Sequence, residues 1–147
     1  MTTGYEVGVV ARVRARHRMP VEGPEGRPHE HDYRVELVAT RHELDERGMV
    51  VDLDVLRTEL ARVIEPLSGR DLDDIRPADA AAVTVEVLAR WLHGSLEAAV
   101  RSAGAEGVRV RVWETDDAWA RYATEADAGG VPFVAPGVRP HPDQPLS

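Results

Sequence analysis

The sequence predicts an α+β domain, a mainly antiparallel sheet in β-β-α-α-β-β order with two helices covering one of its faces. Three observations predict it. Apolar and polar residues alternate near both ends of the domain, two stretches between them carry apolar residues three and four apart, and turn-forming residues separate these segments. With 147 residues, 43% of them hydrophobic, the chain is long enough for one domain with a real core.

In the first strand, Val7, Val9, Ala11, Val13 and Ala15 alternate with residues that drift to Arg12, Arg14 and Arg16, and His17 continues the apolar face. Met19 to Pro28, rich in Pro and Gly, reads as the connection between two antiparallel strands. The second strand starts at His29. His29 and His31 share their face with Tyr33, Val35 and Leu37, while Glu30 points to the other side. A polar turn, His42 to Gly48, leads to a helix over Leu53 to Leu67, with Asp52 as N-cap and Leu53, Leu56, Leu60, Val63, Ile64 and Leu67 as its apolar stripe. After a loop, Thr84 caps a second helix carrying Val85, Leu88, Leu92, Leu96 and Val100, which Gly104 ends. The third strand, Val108 to Glu114, buries Val108, Val110 and Val112 and carries Glu114 on that same face; a fourth lies around Trp119 to Thr124. The domain is expected over 1–125, followed by a Gly/Pro-rich tail over 126–147.

Composition excludes several classes of function. The chain has no cysteine, so disulfides, thiolate ligands and cysteine nucleophiles are absent. A net charge of −8 argues against nucleic-acid or anionic-membrane partners, and pairing with Glu36 or other acidic neighbours accounts for the stripe Arg12, Arg14, Arg16 and Arg18. No apolar run reaches membrane-spanning length and the N-terminus carries no secretory pattern, which leads us to expect a cytoplasmic protein.

Two features carry chemistry. His17, His29 and His31 share one end of the apolar sheet face, and three neutral imidazoles with an open fourth position form a catalytic zinc arrangement. A hydrogen-bonded or surface pair is the plainer reading of His29 and His31 taken alone. Glu114 is a carboxylate at the buried edge of a sheet, costly unless paired. An arginine or a helix N-terminus would satisfy it, and so would the N–H donors of a bound heterocycle.

In this order the segments resemble the 6-pyruvoyl-tetrahydropterin synthase and 6-carboxy-tetrahydropterin synthase family over roughly Tyr5 to Tyr122. The family's F-x-A-x-H is similar to Val13-Arg14-Ala15-Arg16-His17, H-G-H-x-Y to His29-Glu30-His31-Asp32-Tyr33, and G-M-V-x-D-F to Gly48-Met49-Val50-Val51-Asp52-Leu53. P-T-x-E is similar to Val83-Thr84-Val85-Glu86, and V-x-E-T to Val112-Trp113-Glu114-Thr115. The resemblance implies a tunnelling fold that assembles into barrels, here a homohexamer with sites between subunits. It also implies zinc on His17, His29 and His31, with Glu114 and Thr84 binding a small heterocyclic substrate such as a pterin. The metal would act as a Lewis acid on the substrate's side-chain hydroxyls.

The departures matter as much. The carboxy-pterin branch carries a general-base Cys four residues before H-G-H; that position is Glu25 here. The family's L-D-H-x-x-L-N-D resembles Leu67-Ser68-Gly69-Arg70-Asp71-Leu72-Asp73-Asp74, so its Asp and His become Ser68 and Gly69. A member group that cleaves the dihydroneopterin side chain uses Glu for Cys, three residues before the first His. Glu25 is therefore either the replacement acid/base or a solvated loop residue, with Asp71 and His42 as weaker substitutes. Two functions follow: a zinc-dependent lyase or synthase with a non-standard acid/base, or a non-catalytic protein that binds a heterocycle or a partner.

Overall fold

A computed structural model describes residues 4–124; the expected tail over 126–147 lies outside them. Strands β1 (Tyr5–His17) and β2 (His29–Arg41) are followed by helices α1 (Leu53–Ile64) and α2 (Val85–Ser102), then by β3 (Gly107–Thr115) and β4 (Ala118–Thr124). The sheet order is β1-β2-β3-β4, antiparallel throughout, in the element order read from the sequence.

Each strand buries the residues its period selects. Val9, Val13, Ala15 and His17 of β1, Tyr33, Val35, Leu37 and Ala39 of β2, and Val108, Val110 and Val112 of β3 line the core. The helices close that face with Leu56, Leu60 and Ile64 of α1 and Leu88, Leu92, Leu96 and Val100 of α2. Leu53, expected in the stripe, is exposed on the first turn. The first helix also stops earlier than expected. Pro66 has no N–H to continue the ladder, so α1 ends at Ile64 and Glu65–Leu67 form a single 3₁₀ turn. Asp52 caps α1 by accepting from the Asp54 N–H, and the Thr84 hydroxyl caps α2 by accepting from the Val87 N–H at 3.1 Å.

The opposite sheet face is charged and stacked. Arg12 meets Asp32 at 3.6 Å and Arg14 meets Glu30 at 3.5 Å, diagonal cross-strand pairs that occupy two of the basic stripe's charges. Glu36, the partner expected from the sequence, lies opposite Val10. Arg34 stacks over Trp113 at 4.5 Å and Arg111 over Trp119 at 4.4 Å.

Leu37 sits at 0% exposure in the middle of the sheet. Leu37→Ala is expected to cost about 2–5 kcal/mol in urea denaturation, from lost burial plus the cavity left behind. His93 of α2 is also buried, against Tyr122 and beside Glu97 and Thr124. Burial holds its imidazole below the usual range, against the opposing pull of Glu97 and the Val108 backbone and with a smaller push from Arg101. The unfolded chain then takes up a proton that the folded chain refuses, so stability is full above about pH 6.5 and declines as pH falls below it. A His93→Gln variant should show a shallower decline in thermal midpoint across that acid range.

Candidate metal centre

Antiparallel pairing sets His17 directly opposite His29, and Ala15 opposite His31. Because side chains two apart share a face, all three imidazoles emerge at one end of the core face. Their ring centroids are 4.5, 5.0 and 4.8 Å apart, and one ring nitrogen from each lies within 4.8 Å of the others. His17 is buried at 1% exposure, whereas His29 and His31 are partly open, so the cluster has a sealed floor and an accessible side.

The backbone fixes the chemistry of two of these rings. His17 Nδ1–H donates to the Val83 carbonyl at 2.8 Å, and His29 Nδ1–H donates to the Arg27 carbonyl at 2.8 Å. A carbonyl only accepts, so each Nδ1 must carry the hydrogen and each neutral ring presents its Nε2 lone pair to the cluster. The Nε2 atoms of His17, His29 and His31 are all buried without a hydrogen-bond partner. Burial pushes His31 below the usual histidine range, with Glu114 and Glu25 opposing and its two neighbours adding to the shift. Three convergent ring nitrogens, two of them held with the lone pair toward the cluster, suit a nitrogen-seeking cation such as zinc, and the residues present fit that group.

Two carboxylates reach the cluster. Glu114 Oε1 is 3.4 Å from both His17 Nε2 and His31 Nε2, and Glu25 Oε2 is 3.4 Å from His29 Nε2. Glu114 arrives there through a bulge. Trp113 pairs with Trp119 and Thr115 with Ala118, leaving Glu114 as the extra residue on β3, a device that re-aims a side chain. Glu25 is held by a built turn over Pro24–Gly26, in which the Gly26 N–H donates to the Gly23 carbonyl and the Met19 N–H to the Glu25 carbonyl. A Cβ on Gly26 would overlap the Val21 carbonyl oxygen, and Gly23 has φ +92°, so this turn depends on both glycines.

Other expected residues make contacts within the fold. The Thr84 hydroxyl accepts at the α2 cap, while its neighbour Val83 orients His17. Asp71 caps the 3₁₀ turn Leu72–Ile75 through the Asp73 N–H. His42 follows the far end of β2 and pairs with Glu106 at 3.4 Å, away from the cluster. The positions that resemble the family's Asp and His hold Ser68 and Gly69, and the Gly69 N–H donates to the Arg14 carbonyl at 2.7 Å with φ +72°. One polar group escaped the sequence reading. The Tyr33 hydroxyl is buried without a hydrogen-bond partner, its ring edge-on to His31 at 5.5 Å, and burial with Glu114 and Asp73 drives its phenol well above the usual value. Its place on the His31 face was the available signal.

A four-stranded antiparallel sheet backed by two helices, with three histidines converging at the β1–β2 end, defines a tunnelling-fold domain with a candidate metal centre. The chain belongs to the 6-pyruvoyl tetrahydropterin synthase family, whose sequence model matches residues 6–125. No curated protein matches the sequence at a significant level. Among solved structures, the fold is similar to 6-pyruvoyl tetrahydropterin synthase of Caenorhabditis elegans, with TM-score 0.70 and 20% identity over 84% of this chain and 98% of that one. The Plasmodium falciparum synthase gives TM-score 0.70 and 14% identity over 82% and 98%. A Plasmodium vivax synthase, described as a catalytic-residue mutant in which alanine replaces glutamate, gives TM-score 0.69 and 14% identity over 83% and 98%.

Purified protein supplied with zinc is expected to hold about one ion per chain by elemental analysis, and His29→Ala to lose it.

Proposed function

We propose that the chain is a zinc-dependent lyase or synthase acting on a pterin-like or other hydroxylated heterocycle, with Glu25 as its acid/base. The observation that carries this reading is the set of three buried Nε2 atoms without a hydrogen bond, with Glu25 at 3.4 Å from one of them. Zinc held by His17, His29 and His31 would supply Lewis acidity toward the hydroxyls of the substrate side chain.

The remaining work falls to the chain's own groups. Glu25 lies on the open side of the cluster, where its Oε2 takes a proton from a substrate hydroxyl or carbon and returns it to the product. Tyr33, kept neutral, offers an O–H donor to an oxygen at the floor of the site. Glu114 accepts paired N–H bonds from the ring, and the α2 N-terminus at Thr84 flanks the site through Val83. With Ser68 and Gly69 in place of a second and third proton carrier, chemistry through a Cys-Asp-His relay is unsupported, and a one-carboxylate side-chain cleavage fits better. The glutamate treated as catalytic in the Plasmodium vivax synthase supports a carboxylate in this role. Neighbouring copies, in the homohexamer implied by the family, would complete the pocket from its open side.

Glu25→Gln keeps size and removes the proton carrier. Turnover of hydroxylated pterins, screened by product analysis, is expected to fall by about 10²–10⁴-fold while zinc per chain stays at the wild-type level. Unchanged turnover would exclude Glu25 as the acid/base.

A further inference from the structure

Glu114 stands closer to the histidines than a carboxylate engaged on a pterin's N–H edge would. A pterin held by its N–H edge on a carboxylate and by its side-chain oxygens on the metal separates the two by on the order of 9 Å, from one hydrogen bond, the fused ring and one metal–oxygen bond. Here the Glu114 Oε1 stands 3.4 Å from two of the three Nε2 atoms. In that position it leaves no room for the ring between itself and the histidines.

The contact is also electrostatically incomplete. His17 gives its one hydrogen to the Val83 carbonyl, so its Nε2 faces Glu114 with a lone pair, and a carboxylate oxygen faces back with another. Two acceptors held this close need a proton or a metal cation between them. The spacing suits one: bonds of about 2.0–2.1 Å arranged tetrahedrally put neighbouring donor atoms roughly 3.3 Å apart. Glu114 meets that edge length toward His17 and His31 together. The β3 bulge directs it there, while its partly exposed side chain leaves room to turn.

We infer that Glu114 is the fourth protein donor of the tri-histidine centre in the substrate-free protein, closing it until substrate arrives and then turning away to take the ring's N–H edge. The inference rests on the zinc reading above and deepens it. One carboxylate then serves two ligands in succession, so an empty centre is closed to small anions and an occupied one is open to substrate.

The test uses the full chain loaded with cobalt(II), whose visible spectrum reports its ligands, and azide as the probe anion. Wild type, Glu114→Gln and Glu114→Ala are compared, with His29→Ala as the control for the cluster. The wild-type spectrum should resist azide, both Glu114 variants should respond to it, and chelator competition should show their cobalt affinity reduced about 10–100-fold. Glutamine preserves side-chain size, so its response stands even where the alanine variant fails to fold. Cobalt bound by wild type and lost in His29→Ala, with azide reaching wild type as readily as Glu114→Gln, would overturn the fourth-donor role and leave the tri-histidine centre intact. No cobalt or zinc bound by wild type would overturn both.

Discussion

The pairing of β1 with β2 is the constraint on which the rest of this molecule depends. It runs without a break from Tyr5 opposite Arg41 to His17 opposite His29. Since side chains alternate with a period of two, a slip by one residue would turn His29 and His31 outward together with Tyr33, Val35 and Leu37. The core and the histidine cluster are therefore two stretches of one face, and the burial that fixes the register also fixes the centre. The helices add to this by seating the Val83 carbonyl, just ahead of the α2 cap, against the ring of His17.

Periodicity made much of this legible in the sequence. Alternation alone places three histidines and Glu114 on the covered face, and the N-caps at Asp52 and Thr84 mark both helix starts. The missing pieces are those that side-chain pattern does not encode. Nothing around Trp113-Glu114-Thr115 announces a bulge, which appears in the slipped pairing with Ala118 and Trp119, and the closeness of Glu114 to the histidines appears in its 3.4 Å contacts. Backbone carbonyls that set the ring tautomers belong to Val83 and Arg27, whose side chains are irrelevant to the task. Glu25 looked equally suited to solvent because its position depends on a turn that only Gly23 and Gly26 can make. Pro66 was the reverse case, a local signal that outweighed the helical stripe running through it.

The departures from the family's pattern are also structural. Gly69 lends its N–H to Arg14, and the Arg16 N–H donates to the Arg70 carbonyl at 2.9 Å, so this segment is stitched to β1 by its backbone. It presents no proton carrier of its own at Ser68 or Gly69. The carboxylates near the histidines come instead from the connection before β2 and from the bulge in β3, two separate elements converging on one cluster. Function resides in such a site and not in the fold that carries it.

The bond from His17 to the Val83 carbonyl has a consequence for folding. It joins the end of the first strand to the residue that precedes the second helix, 66 positions along the chain. Any ion taken up by the cluster would favour conformers in which that strand end and that helix start are already docked, since the Val83 carbonyl there holds the ring with its Nε2 lone pair toward the cluster. Uptake would then be linked to long-range ordering of the chain, and by mass action the free ion concentration would become a variable of conformational stability. A bound ion would thus favour the folded chain over the unfolded one, most at the strand end and helix start that it holds together.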